Sequence, residues 1–354
     1  MVGLFDGGGP LRPGPDDVGE VAGGGHDLGS VHALVLDPPE CVEVKAFLND
    51  LGTEPRRARQ QSEQEYGMTK SGHRDLQVGE EEAMNKLIIT VAPIGSFAFK
   101  SDTPHLPVTP SEVIEDGIKC WEAGASILHY HARDKDQKPC LDYDFFATVL
   151  EGLRKHTELI VQISTGFRFP THRDDRIRAV DLRPDMMSLN VGSVNLARGP
   201  YINDPVDVEY YAGKMIEHGV KPEIECFDLS HIHAGITLMK KGLILDPPYF
   251  DFVMGVQNAL PFAAQHLLHM IGTLPPGALW SVIGVAKAQL RASTLGIILG
   301  GNSRVGLEDN IFYSYKVLAT NEQLVQRTVR LAKELQRQIA TPDEARAMLK
   351  ITNS

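Results

Sequence analysis

The 354-residue chain is short of several things, and each shortage closes a possibility. It has four cysteines, Cys41, Cys120, Cys140 and Cys226, scattered without metal-type spacing. In a long chain this points to reduced, buried thiols and not to a disulfide framework. Positive charge is in deficit: the formal net charge is -11 and the pI about 5.6. Phosphate binding needs a basic face, so neither nucleic acid nor an anionic membrane is a main partner. No uninterrupted apolar run approaches the roughly 18–20 residues that cross a bilayer, and the N-terminus lacks a basic stretch followed by an apolar one. A soluble cytoplasmic enzyme is the expectation. No Gly-x-Gly-x-x-Gly follows the first apolar segment, which removes the fingerprint of a dinucleotide fold. What is present is 42% hydrophobic residues, enough for a sizeable core.

Residues 1–84 differ from the rest. Gly7-Gly8-Gly9-Pro10 and Gly23-Gly24-Gly25 come first, then a charged run from Glu54 to Glu82. Such a composition buries too little apolar area to offset its ordering entropy, so a disordered, low-complexity extension is expected. It is acidic and not Arg-rich, which makes it a poor transit peptide. Met84 is expected to open the functional part, with residues 85–354 as the catalytic domain.

From Lys86 onward short apolar runs alternate with longer amphipathic ones, the pattern of repeated β-α units around a parallel sheet. The strand candidates are Leu87–Ala92, Ser126–Tyr130, Leu159–Ser164, Met186–Asn190, Lys221–Phe227, Tyr249–Met254, Leu279–Ile283 and Ser303–Gly306. Helical patterns lie between them. Eight such units in about 255 residues suit a (β/α)8 TIM barrel better than a doubly wound sheet. Thr341, Pro342 and Glu344 read as N-cap, N1 and N3 of a short closing helix.

In a barrel the reactive groups gather at the carboxyl ends of the strands. On the second strand, His129 and His131 leave the backbone on one face, two residues apart. At an inward-facing strand end such a pair supplies half the ligand set of a catalytic zinc or similar divalent ion. The third donor is sought among the acids of other strand ends, and Glu308 and Asp309 after the last strand are the best candidates. The alternative is a pair of hydrogen-bonded strand histidines and a solvated loop acid. Other strand ends are also polar: Ser164, Thr165 and Gly166; Ser188 and Asn190; Glu223, Glu225 and Asp228. For the hydroxyl and amide residues the alternative is loop hydrogen bonding or helix capping. His231 and His233 form a second His-x-His, but Ser230 looks like an N-cap, and a helix would point the two rings apart. Lys287 and Arg291 read as a solvated basic face or, after the seventh strand, as a phosphate contact.

Taken together, these residues resemble the β-keto acid cleavage enzyme family, whose founding activity is 3-keto-5-aminohexanoate cleavage. The likeness runs from Lys86 to about Leu349. It is carried by Lys86-Leu-Ile-Ile-Thr-Val-Ala-Pro93, Leu106-Pro-Val-Thr-Pro110, Glu122-Ala-Gly-Ala125, His129-Tyr-His-Ala-Arg-Asp134, Gln162-Ile-Ser-Thr-Gly166, Ser188-Leu-Asn190, Val305-Gly-Leu-Glu-Asp-Asn310 and Ala340-Thr-Pro-Asp-Glu-Ala345. The resemblance implies a zinc-dependent barrel enzyme that exchanges an acyl group between a β-keto acid and acetyl-CoA, giving acetoacetate and a new acyl-CoA. By the same resemblance His129, His131 and Glu308 are the zinc ligands, and Arg304 with Asp309 performs proton abstraction. Ser164 and Ser188 hold the keto acid, with Thr165, Gly166, Asn190 and Glu225 around it, and a homotetramer or similar assembly is expected. Two positions depart from the founding enzyme. Ser188 replaces a threonine, and Phe97 stands where an acid would meet a substrate ammonium, which favours an uncharged or apolar substrate tail. The rival readings are a zinc hydrolase or aldolase on the same barrel that needs no acetyl-CoA, and a barrel that serves only as a scaffold.

Overall fold

Short apolar runs buried on both faces make the strands, as a parallel sheet covered by helices requires. In the computed structural model, which describes residues 86–196 and 199–352, these are β1 (Ile89–Ile94), β2 (Ile127–Tyr130), β3 (Ile160–Ile163), β4 (Met186–Asn190), β5 (Lys221–Cys226), β6 (Tyr249–Met254), β7 (Leu279–Gly284) and β8 (Asn302–Val305). They pair in parallel and close a barrel in the order β1-β8-β7-β6-β5-β4-β3-β2. The expected strands are all present, each within two residues of its predicted ends. The extension expected for residues 1–84 lies outside the described residues.

Around the barrel run α1 (Pro110–Glu122), α2 (Tyr143–His156), α3 (Arg173–Ile177), α4 (Pro205–His218), α5 (Leu229–Lys240), α6 (Ala264–Thr273), α7 (Gln289–Ile298), α8 (Asn321–Glu334) and α9 (Pro342–Leu349). Capping boxes start three of them, at Thr109/Glu112, Thr320/Gln323 and Thr341/Glu344. Short α3 was not foreseen, because five residues show no helical period. The N-cap of α5 is Asp228, not Ser230: its carboxylate accepts from the Ser230 N–H. Among the described residues no helix is long and apolar enough to cross a membrane, and Cys120, Cys140 and Cys226 are free thiols.

Because side chains alternate along a strand, every second residue enters the barrel. The outward set, including Val91, Leu128, Val161, Leu189, Phe250 and Val282, forms one core with the helices. The inward set forms tiers. At the bottom, Ile88, Ile127, Ile160, Met186 and Tyr249 pack against Ala345, Met348 and Leu349 of α9. Burying a side chain such as Leu349 contributes roughly 1.5–3 kcal/mol. Backbone bonds stitch α9's approach to the barrel wall, from Leu87 N to Gln338 O and from Ala340 N to Leu87 O. The tier above is polar although sealed: Thr90, His129, Gln162, Ser188, Glu223, Asp251, Ser281 and Arg304 are each at most 2% exposed. This polar tier underlies the site.

Candidate active site

The period of β2 turns His129 into the barrel and brings His131 out above it, with ring centroids 5.3 Å apart. From the strand that closes the barrel, Glu308 reaches the same point. Nε2 of His131 is 3.4 Å from Glu308 Oε1, and Nε2 of His129 is 3.7 Å from Oε2. Local backbone puts Glu308 there. Gly306 has φ 148°, and a Cβ on it would lie 2.1 Å from the Ala92 carbonyl oxygen. The turn that follows lets Glu308 N donate to Ala92 O at 3.1 Å, and Asn321 accepts the Leu307 N–H. On β1's side, Gly95 leaves the space that the Glu308 side chain fills.

These three groups fit a divalent cation. His129 Nε2 and Glu308 Oε2 are buried and have no hydrogen-bond partner. Nδ1 of His129 faces the Gln162 amide oxygen at 2.8 Å, so Nδ1 carries the ring proton and Nε2 presents its lone pair. Burial, reinforced by Arg304, lowers His129 to about 3, which keeps it neutral. Burial alone would raise Glu308, but Arg304 and then the two histidines overrule it and hold the carboxyl well below its ordinary range. Tetrahedral donors about 2.0–2.1 Å from one ion lie about 3.4 Å apart, close to the separations seen here.

Arg304, 2% exposed, serves three carboxylates. Its Nε and Nη2 donate to Asp309 at 3.1 and 3.3 Å, Nη2 to Glu308 at 2.5 Å and Nη1 to Glu225 at 3.4 Å. Arg304 by itself would keep Asp309 ionised. Burial outweighs it and pushes Asp309 up to about 7, within reach of proton uptake and release near neutrality. Burial also raises Glu225, against the pull of Arg304. Deeper in the barrel both Glu223 and Asp251 point inward, fully buried. Burial pushes Glu223 well above the carboxylate range and Asp251 to about 7.

A cavity of about 280 Å³ opens over this centre, walled on its polar side by Ser96, His131, Ser164, Gly166, Asn190, Glu225, Glu308 and Asp309. Leu196, Phe227, Val253, Ile283 and Val285 add an apolar patch. Two expected substrate contacts are not on the wall. Thr165 turns its hydroxyl back to the Ser188 carbonyl at 2.7 Å, and the Ser188 hydroxyl accepts from Thr165 N, so the pair braces Ser164 from behind. Asn190 does reach the wall. His231 is buried beneath the Phe227 N–H, which it accepts at 3.2 Å, and His233 is exposed, so neither joins the centre. Lys287 sits on a 3-10 turn ahead of α7, exposed like Arg291, and neither lines the cavity.

Two roles, those of Gln162 and Gly95 in positioning the donors, and one cavity residue, Arg168, lie beyond the sequence reading. Gln162 and Gly95 act on partners distant in the chain, and nothing local marks them. Arg168 had a signal, the aromatic pair Phe167 and Phe169 around it. Its guanidinium lies 4.7 Å from the centroid of the Phe97 ring, and Phe97 is 45% exposed at the mouth. Phe97 is held there because Arg133 donates to the carbonyls of Gly95 and Ala98.

One substitution tests the centre without touching a donor. A Cβ on Gly95 would lie 2.1 Å from Glu308 Cγ and 2.7 Å from Cδ. Gly95→Ala is therefore expected to displace the carboxylate and weaken metal binding about 10–100-fold, the usual cost of disturbing a ligand's support. Metal-to-protein ratio after dialysis against a graded chelator checks it, with circular dichroism to show the fold kept.

Fold and site together define a class: a (β/α)8-barrel enzyme with a three-donor His/His/Glu centre and an arginine-held acid at the carboxyl ends of its strands. Within it, the chain belongs to the β-keto acid cleavage enzyme family, whose sequence model matches residues 86–351. It is 40% identical over 271 residues to the 3-keto-5-aminohexanoate cleavage enzyme of Fusobacterium nucleatum, covering 76% of this chain and 99% of that protein. It is 41% identical over 267 residues to the 3-oxoadipate:acetyl-CoA acetyltransferase of Cupriavidus necator, covering 74% and 94%. The barrel also superposes on the apo structure of ObcA with a TM-score of 0.62 at 19% identity, over 72% of this chain and 67% of that one.

Proposed function

We propose that this chain is a zinc-dependent β-keto acid cleavage enzyme that joins a β-keto acid to acetyl-CoA and splits the adduct to acetoacetate and a new acyl-CoA. The observation that carries the proposal is the meeting of His129, His131 and Glu308 donor atoms at 3.4–3.7 Å with Asp309 alongside. A divalent ion held by these three groups would supply a Lewis acid for the 3-keto oxygen. The chain's own residues do the rest. Asp309, bound by Arg304 through both carboxylate oxygens, takes a C2 proton from the keto acid. Ser164, braced by Ser188 and Thr165, presents its hydroxyl to the substrate carboxylate, and the Gly166 N–H is fixed by the same hydroxyl at 3.0 Å. Asn190 and Glu225 complete the polar wall, and the apolar patch keeps water from the thioester.

Carbon balance is simple. The substrate's C2 bonds to the acetyl carbon as CoA thiolate leaves. The thiolate then adds to the original keto carbon, and the C2–C3 bond breaks to release acetoacetate. The relatives named above act on 3-keto-5-aminohexanoate and 3-oxoadipate, which supports a β-keto acid substrate. A cytoplasmic location belongs to the same proposal. A homotetramer or similar assembly is supported by apolar side chains left exposed on α7 and on the hairpin of residues 312–318, among them Leu290, Ile298, Phe312 and Val317.

The test is incubation of the zinc-loaded protein with acetyl-CoA and a panel of β-keto acids. Acetoacetate and a new acyl-CoA are expected in equal amounts, and only when acetyl-CoA is present. Keto acid consumed without acetyl-CoA would establish the hydrolase or aldolase reading instead.

A further inference from the structure

Arg168 lacks the partners that other arginines of the barrel have. Arg304 and Arg346 meet acids within 4.0 Å, and Arg133, Arg176 and Arg327 donate to backbone carbonyls. Among the described residues Arg168 makes no ion pair, and its Nε is buried without a hydrogen-bond partner. The side chain is nevertheless fixed, since its guanidinium lies over the Phe97 ring at 4.7 Å and the Phe169 ring at 5.9 Å. Aromatic faces restrain an arginine and leave its outward N–H groups free in a planar fork that matches a carboxylate.

Its place in the cavity gives that fork a purpose. Arg168 lines the same cavity as His131, Ser164 and Glu308. It follows Gly166 by two residues, and a Cβ on Gly166 would lie 3.3 Å from His131 Cε1, so this loop passes directly over the three-donor centre. A β-keto acid with its reacting carbons at the centre and its C1 carboxylate at Ser164 has one end left, the tail, to reach the Phe97–Arg168 lip. The other cation on the wall, Arg304, is taken up by Glu225, Glu308 and Asp309, which leaves Arg168 to meet a charged tail.

We propose that Arg168, clamped between Phe97 and Phe169, receives a carboxylate at the far end of the substrate, and that the natural substrates are β-keto dicarboxylates. This rests on the function proposed above. It replaces the apolar tail expected from Phe97 alone: the phenyl ring is there to hold the guanidinium. The other anion that could reach the fork is a phosphate of CoA, and the experiment separates the two.

Initial rates are measured for the zinc-loaded wild type, Arg168→Met and Arg168→Lys, with 3-oxoadipate and with the uncharged-tail acid 3-oxohexanoate, at varied acetyl-CoA. Arg168→Met is expected to raise KM for 3-oxoadipate about 10–100-fold, the worth of a charged hydrogen-bonded pair. KM for 3-oxohexanoate and for acetyl-CoA should stay within about twofold, and Arg168→Lys should recover part of the loss. A rise in KM for acetyl-CoA alone would assign Arg168 to a CoA phosphate and overturn the proposal, as would equal effects on the two keto acids. A binding arm keeps the question independent of turnover. Adipate should raise the melting temperature of the wild type more than hexanoate does, and Arg168→Met should abolish that gap. If neither keto acid reacts but the gap appears, the cleavage reading fails and the carboxylate site stands; if the gap is absent, the site fails.

Discussion

Asp309→Asn should lower turnover by about three orders of magnitude or more, the upper range of what a positioned base contributes, while zinc content stays at the wild-type level. The separation follows from geometry. Asp309 is bonded to Arg304 through both oxygens and contributes no atom to the His129–His131–Glu308 group. Asparagine keeps the shape and one acceptor but takes up no proton. His129→Ala is the contrast. It removes one of three donors from a fully buried position and should empty the centre, so that activity and metal fall together. Metal analysis beside steady-state rates distinguishes the two. Normal turnover in Asp309→Asn would move the base elsewhere, with Glu225 next in reach of Arg304.

The second large effect is on the fold itself. Arg304→Met leaves Glu225, Glu308 and Asp309 inside the barrel without their shared cation. Breaking a buried ion pair by removing one partner costs about 3–5 kcal/mol, and the melting temperature should fall by about 10 °C. Because the cost is uncompensated negative charge and not lost packing, Glu225→Gln in the Arg304→Met background should return part of it. Thermal melts of the two single variants and the double give the coupling directly. Strict additivity would mean that Arg304 matters chiefly as volume.

Most of the barrel could be read from the chain because strands such as β1, β2 and β3 are buried on both sides and appear as short, mainly apolar runs between Gly, Pro and polar breaks. The more polar β5 and β8 are legible from their place in the β-α alternation. The closing helix was equally legible, since Thr341, Pro342 and Glu344 form a local code that no tertiary contact has to complete. His129 and His131 were legible for a similar reason: a period of two fixes which way both rings point. Other features depend on chain segments far apart. That Gly95 makes room for Glu308, or that Gln162 orients His129, cannot be read from either neighbourhood alone. That the hydroxyls of Thr165 and Ser188 turn to each other's backbone is illegible as well, because polarity at a strand end does not say whether a side chain faces the cavity or the neighbouring strand. The charge of Asp309 is illegible in sequence for a different reason. Its guanidinium partner is visible in sequence, but the burial that outweighs that partner is a property of the closed barrel. The stacking of Phe97 with Arg168 is illegible for the same reason as Gly95 and Gln162, since it joins loops after two different strands.

The way α9 seals the bottom of the barrel has a bearing on how the protein is made. The first barrel residues find these partners only beyond the eighth strand: Lys86 pairs with Glu344, Leu87 bridges Ile339, and Ser126 donates its hydroxyl to the Ala340 carbonyl. A ribosome delivers them after all eight strands. Until α9 is made, the ring of Ile88, Ile127, Ile160 and Met186 has no cap from its own chain. Closure of the barrel bottom is therefore a late event in folding during synthesis.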